Sequence, residues 1–340
     1  MNDGDLIVRK QGRAGRITLN RPDALNALSY SMVLGIENAL KNWEADGSVS
    51  VVIIDGAGDR AFCAGGDIED MYKAGLEGNF DYGAKFWRDE YRLNAYIAKY
   101  SKPYVAIMHG FVMGGGVGIS AHGSHRIVTD GSMVAMPECG IGLIPDVGGT
   151  HLLGKAPGNL GEFAGLTGFR MGPSDAIHMG FADYYVPQDL IAPLVDDLSE
   201  TGDVQSIDDY RVKCGDGQIK GIEKEANDIF SLGSLEEVVS TLGGQSSDWA
   251  IKALRAIQKS SPIALKCTLS LIRTAREIGD LEAALENEFA VTSKSTEHGD
   301  FLEGIRAAII DKDRNPKWKH ETLGDVPKAL IERMLEPDSS

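Results

Sequence analysis

Short apolar runs that end in glycine-rich turns fix the outline of this chain. Tyr104-Val105-Ala106-Ile107-Met108 leads into Gly110-Phe111-Val112-Met113-Gly114-Gly115-Gly116, and Val51-Val52-Ile53-Ile54 precedes Phe62-Cys63-Ala64-Gly65-Gly66-Asp67. Such runs belong in parallel sheets buried on both faces, and a glycine turn lets bare backbone N–H groups approach a ligand closely. Further strands are expected at 126–129, 133–136 and 183–186, with a hairpin of Ile7-Val8 and Arg16–Leu19 joined through Gly12 and Gly15. Met32, Ile36, Leu40 and Trp43 recur at helical spacing behind Ser29, a residue type that caps helices. Repeated strand–turn–helix units predict a layered α/β core over residues 1–190.

From about residue 190 the pattern turns helical, with amphipathic helices expected at 249–258, 264–278 and 281–293. Residues 200–250 are acidic, serine-rich and punctuated by glycine, which reads as an insertion or flexible connection. The stretch 304–340 is charged and reads as less ordered. The chain is thus expected to divide into a core of residues 1–190 and a mainly helical region, 191–340.

Charge and cysteine usage narrow the function classes. With 50 acidic against 34 basic side chains the net charge is −16, which argues against a nucleic-acid surface. Cys63, Cys139, Cys214 and Cys267 fall at no metal-like or paired spacing. Reduced thiols in a cytoplasmic protein are expected, and the opening residues are acidic where a signal or transit peptide would be basic. The most apolar region, 105–119, is broken by His109 and five glycines, so no membrane span is expected.

Chemistry concentrates in Pro137-Glu138-Cys139-Gly140-Ile141-Gly142-Leu143-Ile144-Pro145-Asp146-Val147-Gly148-Gly149. Two carboxyl groups stand eight residues apart there, among glycine, proline and aliphatic side chains. Backbone donors and a pair of acids in an apolar setting suit chemistry on a carbonyl whose oxygen becomes negative. Each feature alone has a plainer reading. The glycine triplet serves helix–sheet packing, Asp67 caps a helix, Glu138 is a surface residue and Asp146 a turn residue. Their order and spacing together favour the chemical reading. His122 and His125 lack a third ligand, so no metal is expected. Cys139 has no histidine–acid arrangement beside it, and the acidic run 282–288 reads as a solvated helix face.

Taken together, the motifs resemble the crotonase (enoyl-CoA hydratase/isomerase) superfamily, and within it the 3-hydroxyisobutyryl-CoA hydrolase branch. The resemblance begins at Leu19-Asn20-Arg21-Pro22-Asp23-Ala24-Leu25-Asn26-Ala27-Leu28 and runs through both glycine turns and the two-acid segment. It extends past Leu166–Arg170 to Glu303–Ala307 and Ile310–Trp318, a stretch similar to a signature of the hydrolase branch. It implies a crotonase-like spiral of ββα units with a helical C-terminal region. It also implies a bound acyl-CoA whose thioester oxygen sits between the N–H groups of Gly66 and Gly115, with CoA contacts at Ala24, Leu25, Ala64, Asp67 and Ile68. Glu138 would attack the thioester or act as base for water, Asp146 would handle the proton, and Glu90 would grip a β-hydroxyl. CoA enters as part of the substrate and no further cofactor is implied.

Related enzymes bound the alternatives. Hydratases resembling this chain carry a second glutamate where Gly118 stands, which disfavours hydration. Dienoyl-CoA isomerases share the eight-residue acid spacing and stay open, and an RNA-binding relative conflicts with the acidic balance. A homo-oligomer is common for the fold, though the long C-terminal region can instead fold back on its own core. Valine catabolism is the implied setting.

Overall fold

Burial on both faces shapes the central strands. In Ala14–Leu19, Val51–Gly56 and Tyr104–Met108 almost every side chain is removed from solvent, as expected for strands covered on two sides. The structure, a computed structural model, describes residues 2–337. Its strands in chain order are β1 (Asn2–Asp3), β2 (Leu6–Gln11), β3 (Ala14–Leu19), β4 (Val51–Gly56) and β5 (Ala61–Cys63). They continue with β6 (Tyr104–Met108), β7 (Phe111–Met113), β8 (His125–Val128), β9 (Met133–Ala135) and β10 (Tyr184–Tyr185).

Seven of these form one sheet in the order β1-β2-β3-β4-β6-β8-β10, and β5-β7-β9 form a second. The β2–β3 hairpin is antiparallel, while β3 to β10 and the whole small sheet are parallel. Register advances one strand at a time in both sheets: Ile53 pairs with Val105 and Val105 with His125, while Ala61 pairs with Phe111 and Phe111 with Met133. A strand of the large sheet is followed by one of the small sheet three times over, and helix follows each pair. That is the spiral of ββα units, continued by a helical C-terminal region. The small-sheet strands β5 and β7 lie inside what the sequence presents as glycine turns.

The chain gathers into two units that interleave along the sequence, so neither coincides with residues 1–190 or 191–340. One comprises the residues up to Asp67, Asp89–Ala135 and Met171–Gln218; the other comprises Ile68–Arg88, Met136–Arg170 and the residues from Ile219 onward. The first holds both sheets and a core that includes Val51, Ile53, Val105, Ile107, Ile127 and Leu194. The second is helical, with a core of Ile144, Ile263, Cys267, Leu271, Val291, Val326 and Met334.

Two stretches are more regular than their composition suggests. Residues 200–250 contain the helices Glu223–Phe230 and Leu235–Gly243, the latter opened by a reciprocal Ser234–Glu237 capping box. Ala226, Ile229, Phe230, Leu235, Val238 and Leu242 are buried there, a helical stripe masked by acidic neighbours. Near the chain's end, helix Lys328–Leu335 brings Met334 into the second unit's core, and burying such a side chain stabilises by about 1.5–3 kcal/mol.

Phe230 tests the order of the acidic stretch, since it is fully buried with its ring 5.5 Å from that of Phe163. Phe230→Ala is expected to cost about 3–5 kcal/mol, read as a drop in Tm. Limited trypsin digestion of the wild type is expected to spare 223–243; ready cleavage there would return the segment to a flexible connection.

Candidate active site

In the first unit, two glycines at positive φ set up the backbone donors. Gly65 has φ +120°, and Gly114 has φ +48° with ψ −120°, conformations that side chains disfavour. Each immediately precedes one of the expected donors, Gly66 and Gly115. Leu28 clamps the first turn, its N–H donating to Gly65 O at 2.9 Å and its carbonyl accepting from Asp67 N–H at 2.9 Å. Gly115 opens the helix Gly115–Gly118, so its N–H has no acceptor within that helix. A Cβ on Gly115 would stand 3.4 Å from Gly66 N and 2.7 Å from Glu90 Oε1. Both donor glycines and the Glu90 carboxyl group therefore border one small volume.

Glu90 is buried on the helix Asp81–Ala98, whose residues from Asp89 on belong to this unit. Its neighbours fix that part of the helix. Asp89 accepts from Tyr30 Oη and from Arg92 Nη1, each at 2.5 Å, and Arg92 donates twice to Glu37 at 2.8 Å. The Arg92 hydrogen bonds, helped by Lys41, hold the Glu37 carboxyl down to about 2. One turn beyond Glu90, Asn94 is fully buried, and neither its Nδ2 nor its Oδ1 has a hydrogen-bond partner among the described residues.

Four of the five residues expected at the CoA contacts come together in the same unit. Ala24 ends a 3₁₀ turn, Leu25 follows at φ +52°, and Ala64 N–H donates to Leu25 O at 3.1 Å. Arg21 pairs with Asp67 at 2.8 Å. Asn26, which carried no expected role, pins this turn: its Nδ2 donates to Ala57 O and Ala61 O, and its Oδ1 accepts from Arg21 N–H. Ile68 falls at the start of the second unit, just ahead of helix Glu69–Leu76.

The second unit holds the acid pair. Glu138 begins a 3₁₀ turn, Glu138–Ile141, and both it and Asp146 are buried. Burial, reinforced by the neighbouring Asp146 charge and more weakly by Glu288, pushes the Glu138 carboxyl well above the usual carboxylate range. Its Oε2 has no hydrogen-bond partner among the described residues. The segment is anchored from behind, with Ser261 N–H donating to Cys139 O at 3.0 Å and Leu143 N–H to Glu138 O at 3.1 Å.

Glu288 corrects the reading of 282–288 as a solvated face. Glu282 and Glu286 are exposed, but Glu288 is fully buried. It accepts from Gly148 N–H at 2.7 Å, Thr150 N–H at 2.9 Å and Thr150 Oγ1 at 2.5 Å. Burial pushes its carboxyl up to about 8, against the pull of those donors. Along helix Leu281–Ser295 it shares the inward stripe of Ala284, Leu285, Val291 and Thr292, the signal that could have found it.

Other singled-out residues stay outside this chemistry. Burial pushes the Cys139 thiol up to about 12, and Sγ is packed 3.2 Å from Thr268 Oγ1. Gly118 is buried inside its short helix and brings no side chain. Among the described residues no group of three or more His, Cys, Asp or Glu could hold a metal ion, and no helix is long and apolar enough to cross a membrane.

Preorganised backbone donors and acids held away from their usual protonation range define an enzyme of acyl-group chemistry, in which a carbonyl oxygen gains negative charge. The sequence model of the enoyl-CoA hydratase/isomerase family matches residues 14–335, and the chain belongs to that family. It is 41% identical over 340 residues to the mitochondrial 3-hydroxyisobutyryl-CoA hydrolase of Danio rerio, covering 97% of this chain and 88% of the relative. The probable 3-hydroxyisobutyryl-CoA hydrolase 3 of Arabidopsis thaliana is 37% identical over 98% of this chain and 92% of the relative. Among solved structures, an enoyl-CoA hydratase from Rhodobacter sphaeroides 2.4.1 superposes with a TM-score of 0.95 at 46% identity, covering 98% of each chain. A carnitinyl-CoA dehydratase from Mycobacterium thermoresistibile gives 0.95 at 41% identity, covering 99% of this chain and 98% of that one.

The raised Glu138 carboxyl has a signed consequence. A carboxyl whose folded pKa lies above its unfolded value contributes stability in full below the unfolded value, near 4.5, and that contribution is lost as pH rises through the folded value. Glu138→Gln removes the loss. Its stability is expected to gain on the wild type as pH rises above about 5, read as a Tm difference that grows with pH. A Tm difference independent of pH would mean Glu138 is not held neutral.

Proposed function

We propose that the protein hydrolyses the thioester of 3-hydroxyisobutyryl-CoA, or of a close β-hydroxyacyl-CoA, to the free acid and CoA. The observation that carries this reading is the Glu90 carboxyl beside Gly115. A β-hydroxyl lies two carbons from the thioester carbonyl carbon. A carboxyl group next to the donors of the carbonyl oxygen is therefore placed to accept its hydrogen bond. The curated hydrolases at about 40% identity over nearly the whole chain support the same substrate class.

In this reading Gly66 and Gly115 N–H groups receive the oxyanion. Glu138 holds the pair's proton at rest and passes it to Asp146. The Glu138 carboxylate then attacks the thioester carbon, the C–S bond breaks, and Asp146 returns the proton to the CoA thiolate. Asp146 next takes a proton from water, whose hydroxide opens the acyl–Glu138 anhydride and frees both carboxyl groups. The net change is thioester plus water giving carboxylate, thiol and one proton. Direct attack of water, with Glu138 as base, uses the same groups and the same balance. Hydration across a double bond finds no second acid at Gly118. CoA contacts at Ala24, Leu25, Ala64, Asp67 and Ile68 belong to the same proposal, as do a homo-oligomeric state and a role in valine catabolism. The cytoplasmic placement also belongs to it; the mitochondrial designation belongs to the animal relatives.

Free-thiol release from 3-hydroxyisobutyryl-, 3-hydroxypropionyl-, crotonyl- and dienoyl-CoA tests the assignment. The hydroxyacyl thioesters are expected to be cleaved at least about 10-fold faster than the others, the worth of one hydrogen bond to a charged acceptor. Glu138→Gln and Asp146→Asn are each expected to lower kcat by about 10²-fold or more. Gly115→Ala should lose roughly 10²-fold by displacing an oxyanion donor. Near-full rates in both acid variants, or a dienoyl absorbance change without thiol release, would sink the hydrolase.

A further inference from the structure

We infer that Glu288 is a positioning residue for Asp146: reaching in from another helix, it holds the strained turn that follows Asp146 and acts on the reaction only through that acid. The inference takes Asp146 as the proton-handling acid of the proposed hydrolase.

The turn needs holding. Val147 has φ +54° and Gly148 φ +77°, two successive residues in the left-handed region. For a β-branched residue this is a genuine outlier, and such outliers persist where the surroundings over-determine them. Here the surroundings include Asp146 O, which accepts Gly149 N–H at 2.6 Å, and Glu288. One Glu288 oxygen takes the N–H of Gly148, and the other takes both the N–H and the hydroxyl of Thr150. The three bonds span 138 to 140 residues of sequence, so helix Leu281–Ser295 carries the constraint.

Glu288 is unlike Glu162, a buried acid of the same unit that has a cation beside it. Glu162 is also fully buried, but it is matched by Arg276 through bonds of 2.5 and 2.6 Å. No basic side chain pairs with Glu288 among the described residues; the hydrogen bonds it accepts come from the two residues of one turn, beginning two positions past Asp146. A carboxyl kept in the interior for packing alone would be better replaced by an apolar residue.

The test is a double-mutant cycle with Glu288→Gln and Asp146→Asn, read as kcat and KM per folded molecule well below each variant's Tm. Gln keeps the volume but offers one acceptor where two are needed. In the wild-type background kcat is expected to fall about 10- to 100-fold with KM changed less than about 3-fold, the split of a group that misplaces the reacting acid. In the Asp146→Asn background the same change is expected to cost less than about 2-fold. Equal losses in both backgrounds, or a loss only in Tm, would overturn the inference. Thr150→Val, which removes one donor and leaves Glu288, is expected to give a smaller kcat loss that likewise vanishes with Asp146→Asn; it serves if Glu288→Gln does not fold. Hydrogen exchange of the 145–152 peptide supplies a readout independent of the reaction, expected to quicken by about 10-fold or more in both variants. Unchanged exchange would overturn the positioning role. Faster exchange in a protein that releases no thiol from any thioester would instead overturn the hydrolase reading and leave the positioning role standing.

Discussion

A carboxyl group removed from water with no cation beside it is the constraint around which the second unit is arranged. Placing a lone charge in an apolar interior costs several kcal/mol even after relaxation, and a buried acid has two ways out. Glu162 takes one, drawing a bidentate bond from Arg276. Glu138 takes the other: its neighbour is a second acid, Asp146, and it shifts toward the neutral form. The second makes a proton available in a dry setting, which is what acid–base chemistry requires. The distinction between the two acids is thus set by the partner supplied to each.

The first unit solves a different problem by different means. In the proposed hydrolase its donors would be backbone N–H groups, which carry no titratable charge and need only to be aimed. Aiming them takes backbone conformations that cost little at glycine, hence Gly65 and Gly114 immediately ahead of Gly66 and Gly115. Rigidity comes from outside the turns, through the Leu28 clamp on one side and the Tyr30–Asp89–Arg92–Glu37 network behind Glu90 on the other. Dipoles fixed before the reaction need no reorganisation during it, the source of most electrostatic catalysis.

What could be read from the sequence divides along physical lines. Val51–Ile54 and Tyr104–Met108 are legible because a strand buried on both faces is a continuous apolar run. β5 and β7 are not, because three residues between glycines show no period. The helices at 223–243 were hidden because composition averages over faces: their inward stripe is apolar while the outward face is acidic. Glu288 was lost the same way, counted with Glu282 and Glu286 when its position on the helix, not its neighbours in sequence, decides its burial. The burial of Glu138 and Asp146 was legible because their spacing and glycine surroundings are unusual for surface acids. The interleaved units were not, since β-spiral residues and helical residues alternate along the chain and no linker marks the change.

The acid-rich balance of the chain poses a problem for a polyanionic thioester, and the site's own geometry answers part of it. The net charge of −16 supplies no overall attraction, and Arg21 is engaged by Asp67 at 2.8 Å. Beyond about 8 Å, however, salt screens the repulsion as well, so discrimination falls to contacts at short range. There Glu90 cuts both ways. In the proposed hydrolase, an ionised Glu90 beside the donors of a developing oxyanion would oppose the very charge those donors favour. A substrate hydroxyl that donates to Glu90 would draw such a charge away from the carbonyl, and a substrate lacking one would not. In the proposed hydrolase, selectivity for the β-hydroxyl would then rest on this penalty against other acyl groups as much as on the bond gained, which is how a small polar group achieves more discrimination than a methyl group in an apolar pocket.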